Sequence, residues 1–566
     1  MILTLLSSIP ENLIILFEIG IILIMAATLA FIIKLFKQPL IPAYILTGIL
    51  IGPLFLGVIK NQELIISLSE IGVAFLIFTA GLEINFKKLK QVGKTAIFGG
   101  VLQIAILFAV AFFISVWLGL VGKVPIYVGL VVAFSSTMVV VKLLYDKKEL
   151  SSLHGRIIIG ILLIQDIVAI AALAILTTDF TLNSIIISLV KAVAFAIAAI
   201  LLSKAINPIL KRAARSPELL FLVSISFLFL FAIGSALAQL SVVIGAFFAG
   251  IALANSNFKT EIAGKISPIR DFFAIIFFVA LGMQLNLISK QFFYLLLILL
   301  GLVIVLKPLI IMFLIRIFGH RKRTSFLTGN ALAQTSEFSL VIVTLGFSLG
   351  HIGQELFSTL ILLTIITMSL TTYLIGYERK LFYLFSWPLN IFNKFKSTKE
   401  QLEYFSGGGH KVVIFGCHRI GSLLLKEFEK EKKKIIVVDY NPEIISSLIQ
   451  KKIPCIYGDF INEEILDKLN IKDIEMVIST IPDLEDNLLL IKKVKKINSK
   501  VLLFVVANRI SEALELYKAG ADYIFLPQII GGQKAYEVIK KRNKLSLKDL
   551  KKGHIKYLNS IHRILY

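Results

Sequence analysis

The chain has 566 residues, of which 57% are hydrophobic and only 17% charged, and its mean hydropathy is +0.88. A soluble protein of that length could not hide so much apolar surface, so the composition predicts a polytopic membrane protein. A net charge of +23 would suggest nucleic acid in a soluble domain, but many of the basic residues lie in short loops between apolar segments, where they report topology, and no nucleic-acid partner is expected.

In chain order, apolar runs long enough to cross a bilayer core of roughly 30 Å fall at 11–33, 39–57, 64–82, 94–119, 125–144, 155–177, 183–208, 217–233, 235–254, 269–288, 291–317, 324–347 and 354–376. About thirteen transmembrane helices are therefore expected, the least marked joint being Gly234–Ser235. Alternate loops are basic, carrying Lys34 and Lys37; Lys87, Lys88, Lys90 and Lys94; Lys147, Lys148 and Arg156; Lys211, Arg212 and Arg215; Lys259, Lys265 and Arg270; and Arg321, Lys322 and Arg323. The intervening loops hold only Lys60, Lys123 and Lys290. The positive-inside rule then puts the N-terminus outside the cell membrane and everything after about residue 376 in the cytoplasm. No basic stretch precedes the first segment, which reads as a retained helix rather than a cleaved signal peptide.

Within this apolar frame, "GILLIQDIVAI" (160–170) places Gln165 and Asp166 in the sixth segment, with Asp166 11 residues from either end. At 1.5 Å per residue that is the bilayer midplane. Ser135, Ser136 and Thr137 in the fifth segment, Lys307 in the eleventh, and Gln334, Thr335, Ser336 and Glu337 in the twelfth fall at a similar depth. Polar groups in lipid must satisfy one another, so a single polar site between helices is expected, with Asp166 and Lys307 able to form an ion pair. Blander readings stay open beside it. Asp166 could be a hydrogen-bond anchor, Lys307 could snorkel beside a kink at Pro308, the hydroxyls could mediate helix packing, and Glu337 could be a protonated packing group. Interrupted helices in two halves of opposite orientation mark the binding site of secondary transporters. A desolvated carboxylate there binds either a proton or a monovalent cation, and competition at an alternating site is antiport.

After a basic, aromatic stretch and the hinge-like "SGGGH" (406–410), the pattern changes to short β-branched runs alternating with amphipathic helical stretches. "KVVIFGCHRIG" (411–421) and "KKIIVVDYNP" (433–442) open it, and strand-like runs follow at 453–457, 475–479, 501–506 and 522–526. This predicts a doubly wound α/β domain with a parallel sheet. Its first turn places Gly416 and Gly421 at the first and third positions of G-x-G-x-x-G, with Asp439 ending the second strand, where an acidic residue takes ribose hydroxyls. His418 stands at the middle glycine. A side chain there crowds a pyrophosphate, which favours an adenine mononucleotide such as AMP over NAD(H). The plainer alternative is a Rossmann-like fold with an empty crevice. Cys417 and Cys455 are expected to be packing thiols, and the singly scattered His154, His320, His351, His410, His554 and His562 surface residues.

"YILTGILIGP" (44–53), "IGVAFLIFTAGLEINFKKLK" (71–90), "FSSTMVVVKLL" (134–144), "LLIQDIVAI" (162–170), "VIGAFFAGIALANS" (243–256), "RDFFAIIFFVALGMQLNL" (270–287) and "ALAQTSEFSLVI" (331–342) resemble, in order, the monovalent cation:proton antiporter-2 family. The resemblance implies a homodimer of thirteen-helix protomers with inverted repeats, in which two broken helices, here the fifth and twelfth, cross beside the essential aspartate. It implies that Asp166 carries the cation and the proton and that Lys307 is its ion-pair partner. Gln165 before Asp166 is similar to the Kef-type potassium systems, whereas sodium-type members that move net charge carry two aspartates. The C-terminal domain is similar to the TrkA-N (regulator of potassium conductance, RCK) domain of Kef-type antiporters. "YGDF" (457–460) resembles that domain's Gly-Asp turn near adenine, adding Asp459 to Gly416, His418, Arg419, Gly421 and Asp439 as nucleotide contacts.

The expected organisation is thus a membrane exchanger at 1–376, a linker at 377–409, a nucleotide-binding domain at 410–530 and a helical basic tail at 531–566. The expected substrates are H+ with K+ or, as the alternative, Na+, and an ancillary cytosolic regulator is a further conceivable partner. A potassium channel would require a filter loop resembling TVGYG, which the chain lacks. A dehydrogenase would require a substrate domain, and only about 155 residues follow the hinge. Neither rival is favoured, and no enzymatic activity is expected.

Overall fold

A computed structural model describes residues 11–36, 38–59, 61–84, 93–147, 149–150, 152–320, 322–384, 403–404, 409–417, 419–430, 434–439, 441–458, 463–541, 551 and 555. The chain divides near residue 396 into two compact units.

The first unit is helical: α1 (Glu11–Leu35), α2 (Ile41–Ile51), α3 (Gln62–Glu83), α4 (Gly93–Trp117), α5 (Val124–Ala133), α6 (Thr137–Asp146), α7 (Leu153–Leu176), α8 (Leu182–Ala205), α9 (Asn207–Ala213), α10 (Pro217–Leu237), α11 (Val242–Ala254), α12 (Lys259–Met283), α13 (Lys290–Gly301), α14 (Lys307–Ile317), α15 (Lys322–Ala331), α16 (Glu337–Ser348), α17 (Gln354–Gly376) and α18 (Glu378–Leu384). Among the described residues ten helical stretches are long and apolar enough to cross a membrane, with α5–α6 and α13–α14 each counted as one, and α2, α11 and α16 are shorter apolar helices. Each of the thirteen expected segments overlaps one of these, the twelfth falling on α15 and α16.

Two boundaries differ from expectation. The α10–α11 turn falls at 238–241, with Gln239 left-handed (φ 59) and the Ser241 hydroxyl accepting from the Val243 amide. Gly234 and Ser235 remain helical, because the Ser235 hydroxyl donates back to Ala232 O and nothing there forces a break. Helix α12 begins at Lys259, ahead of the expected 269, so Lys259, Lys265 and Arg270 lie on a helix rather than in a loop. Charge marks where a segment leaves the lipid, not where its backbone stops being helical. Lys259 donates to Ile84 O and Arg270 pairs with Asp271, with Glu83 3.9 Å away.

Small residues bring the helices together. A Cβ on Gly250 of α11 would lie 2.1 Å from Phe78 O of α3, and one on Gly282 of α12 would lie 2.1 Å from Ile45 O of α2. In lipid, where burying apolar side chains gains little, such backbone contact is what packing can exploit. Between α13 and α14 the backbone widens into a π-helix over Leu302–Leu306. Pro308 accounts for it: the residue lacks an amide hydrogen and its ring crowds the preceding turn, so the ladder skips before resuming.

The second unit is a seven-stranded sheet in the order β1-β4-β3-β2-β5-β6-β7. The strands are β1 (Glu403–Tyr404), β2 (Val412–Phe415), β3 (Ile435–Asp439), β4 (Cys455–Tyr457), β5 (Met476–Ser479), β6 (Leu502–Val506) and β7 (Tyr523–Phe525). All pairings are parallel except that of β1 with β4. Strands β2 and β3 are buried throughout, as their unbroken β-branched runs require in a sheet covered on both faces. The order reverses between β2 and β5, the switch point at which doubly wound sheets bind ligands. Strand β1, two residues inside the expected linker, was not foreseen. The C-terminal helix Pro527–Lys541 starts just ahead of the expected tail, which otherwise lies largely outside the described residues.

Candidate functional site

Two of the membrane helices are interrupted, and the interruptions face each other. Helix α5 ends at Ala133 and α6 starts at Thr137; α15 ends at Ala331 and α16 starts at Glu337. Each break leaves carbonyls without an intrahelical donor, and such groups must be satisfied inside the membrane. Lys307 Nζ takes three of them, Val132 O at 2.9 Å, Phe134 O at 2.8 Å and Gln334 O at 2.6 Å. Gln165 Nε2 reaches Ala133 O at 3.4 Å, the Ser135 hydroxyl donates to Leu332 O, the Ser339 hydroxyl to Val131 O, and the Thr371 hydroxyl to Ala333 O. The carbonyls of 131–134 and 332–334 are therefore all matched.

This corrects the expected ion pair. Among the described residues no salt bridge joins Lys307 to Asp166. Lys307 is fully buried at the C-terminal ends of α5 and α15, where the helix dipoles are negative, and three acceptors occupy all three N–H donors of an ammonium group.

Glu337 sits at the opposite polarity. Its Oε1 accepts from the Ser136 hydroxyl at 2.6 Å and its Oε2 lies 3.4 Å from the Ser336 hydroxyl, at the N-terminal ends of α6 and α16. Ser136 and Ser336 also cap those helices, accepting from Val139 N and Phe338 N. Gln165 uses both ends of its amide on the first break, accepting from Ser135 N at 2.9 Å. Asp166 is different. Among the described residues it accepts only from the Thr137 hydroxyl, 3.3 Å from Oδ1 and 3.2 Å from Oδ2, and it is slightly more exposed than Lys307 or Glu337.

Asp166, Gln165, Ser135, Ser136, Thr137, Lys307 and Glu337 are thus brought together. Gln334, to which the sequence gives no separate role, and Ser339, Thr367 and Thr371, which it does not single out, complete the site. The Thr335 amide donates to the Thr367 hydroxyl oxygen at 3.3 Å, and Thr364, Thr367 and Thr371 form a hydroxyl stripe at helical spacing on apolar α17 that could have signalled it.

In the second unit Gly416 turns with φ 85, and a Cβ there would lie 2.7 Å from Thr480 Oγ1. A Cβ on Gly421 would lie 1.9 Å from Gly416 O, so only glycine lets the helix Arg419–Lys430 sit this close to the turn. The buried Asp439 carboxylate accepts from Cys417 N at 2.6 Å and Asn441 N at 2.7 Å, which fixes the turn. Arg419 opens the helix, while His418 and Asp459 lie outside the described residues. Cys417 and Cys455 are buried free thiols, as expected. The histidines are not simply surface residues: His320 is buried and 3.1 Å from Thr95 Oγ1, His154 lies 3.1 Å from Glu149, and His351 is half-buried between Lys123 and Tyr127. His554 and His562 lie outside the described residues.

Residues 20–376 match the family model "Sodium/hydrogen exchanger, transmembrane", and residues 412–527 match "TrkA-N domain". The putative cation/proton antiporter YbaL of Escherichia coli K12 is 27% identical over 510 residues, covering 87% of this chain and 91% of that protein. The K(+) efflux antiporter 5 of Arabidopsis thaliana is 32% identical over 371 residues, or 63% of this chain, which spans 64% of that relative's length. The solved sodium proton antiporter MjNhaP1 of Methanocaldococcus jannaschii superposes with a TM-score of 0.51 at 18% identity, over 70% of this chain and 99% of that one, and so shares the membrane fold. The chain belongs to the sodium/hydrogen exchanger family, as a Kef-type cation:proton antiporter with an attached TrkA-N domain.

Proposed function

We propose that the chain exchanges K+ for H+ by alternating access at Asp166. The observation that carries this reading is the unequal satisfaction of the three ionisable groups at the crossing. Lys307 is saturated by the negative helix ends and Glu337 sits on the positive ones, whereas Asp166 has a single weak hydroxyl contact. A carboxylate held so loosely can trade a proton for a dehydrated cation. Thr137 supplies a further oxygen, and Gln165, Ser135, Ser136, Lys307 and Glu337 hold the two breaks in place around it.

Potassium is favoured over sodium by the relatives named as K(+) efflux antiporters and by Gln165, whose amide is used at both ends on the α5 break. The reading includes a homodimer with the N-terminus outside and the TrkA-N domain cytoplasmic, following the basic loops. It also includes regulation by an adenine nucleotide, AMP rather than NAD(H), at Gly416, His418, Arg419, Gly421, Asp439 and Asp459. Domain limits of 1–376, 377–409, 410–530 and 531–566 belong to the same reading. Proton movement in proteoliposomes driven in turn by K+, Na+ and Li+ gradients tests it. Potassium should give the largest response, and sodium activity without any potassium response would reverse the assignment.

A further inference from the structure

Away from the crossing, the far ends of the same two broken helices are joined by one imidazole. Lys123, the residue before α5, has its Nζ 2.8 Å from His351 Nε2, and Tyr127, one turn into α5, has its hydroxyl 2.7 Å from His351 Nδ1. His351 lies in the loop that leaves α16, and its amide donates to Gly346 O on that helix. Gly346 in turn makes room for the Tyr127 ring, since a Cβ there would lie 2.4 Å from Tyr127 Cε1. Phe180, held at φ 60, packs its ring 4.8 Å from Lys123 Nζ and 6.2 Å from the His351 ring. A positive φ on a bulky residue is costly, so this corner is held by its surroundings rather than by local preference.

The contacts fix the protonation pattern. A lysine ammonium only donates, so His351 Nε2 accepts and the ring proton is on Nδ1, donated to the Tyr127 oxygen. A second proton on Nε2 would set an N–H against an ammonium, donor against donor and charge against charge. Lys123 is the charge that bears on the ring among the described residues; Tyr127 faces it as a phenol, Asp179 beside Phe180 is exposed, and Glu355 on α17 accepts from Ser289. We propose that His351 is a proton-sensitive positioning residue: while neutral it ties the start of α5 to the end of α16, and so holds the two breaks in register for exchange. Helix α5 is 10 residues long, so the tie acts about 15 Å from the crossing. This rests on the antiport reading above for its effect on transport.

His351 lies between the spanning helices, and burial, with the Lys123 charge second, lowers its pKa below the usual histidine value. The stabilisation it gives is therefore fully present above the ordinary value, and the contact is lost as pH falls through the lowered one. The test uses the purified full chain and its His351→Gln and Lys123→Met variants, with thermal unfolding and K+-driven proton flux measured from about pH 8 to about pH 5.5, a range that brackets histidine titration. Wild type should lose unfolding temperature and, several-fold, exchange rate on the acid side. His351→Gln, which accepts and donates without titrating, should flatten that limb in both readouts. Lys123→Met should move the limb to higher pH by removing the repelling charge. The same limb in wild type and His351→Gln, or an unshifted limb in Lys123→Met, would overturn the proposal. A wild type that moves no protons with any cation would instead remove the antiport reading, and the unfolding limb would still decide the tie.

Discussion

Lys307 has three backbone carbonyls within 2.9 Å and, among the described residues, no carboxylate in ion-pair range, so its charge is spent on the backbone of the two broken helices. Replacing it with methionine keeps the length and removes the donors. Each carbonyl left buried without a partner costs about 1–3 kcal/mol, and relief of the ammonium's desolvation offsets part of that. Lys307→Met should accordingly lower stability by on the order of 2–4 kcal/mol, read as a drop in unfolding temperature of the purified protein, alongside any loss of exchange. A variant as stable as wild type would mean that the breaks are supported by other groups. Asp166 is the converse case: few contacts depend on it, so its removal should spare the fold.

At the scale of the element, the breaks at 134–136 and 332–336 are built by serine caps on one side and donors to carbonyls on the other. Ser136 caps α6, accepting from Val139 N, and links it to the second break by donating to the Glu337 carboxylate at 2.6 Å. Ser136→Ala should cost about 1–2 kcal/mol for the lost cap, with the stranded Glu337 adding to it. Circular-dichroism melting checks this, and an unchanged midpoint would contradict the role given to the cap. The existence of the breaks was legible, because Ser135–Ser136 and Gln334–Ser336 are conspicuous in apolar segments. Their carbonyls were not, since backbone groups released by a break leave no trace in side-chain spacing, and so the sequence points Lys307 to Asp166, a carboxylate at a similar depth, instead. The π-turn over Leu302–Leu306 left only Pro308 as a sign. In the sheet unit the parallel strands were readable from their β-branched runs, whereas β1, at two residues, is too short to carry any pattern.

For the whole molecule, the membrane unit and the TrkA-N unit carry separable chemistry. Asp439 accepts from Cys417 N and Asn441 N and thereby shapes the glycine turn. Asp439→Ala should remove both that support and any ribose contact, so stabilisation by AMP in a thermal-shift titration should disappear. Undiminished AMP stabilisation in the variant would place the nucleotide elsewhere, and the same titration with NADH would distinguish mononucleotide from dinucleotide. Domain order and the transport fold were legible from the sequence because hydropathy changes so sharply after residue 376, while the finer joints at 238–241 and 259 depend on capping and packing that hydropathy does not report. On the antiport reading, exchange passes through Asp166. The most direct measurement is K+-driven proton flux in proteoliposomes of wild type and Asp166→Asn, with folding of both verified by gel filtration. Flux is expected in the wild type and none in a well-folded variant; flux at the wild-type rate in Asp166→Asn would show that exchange does not need this carboxylate.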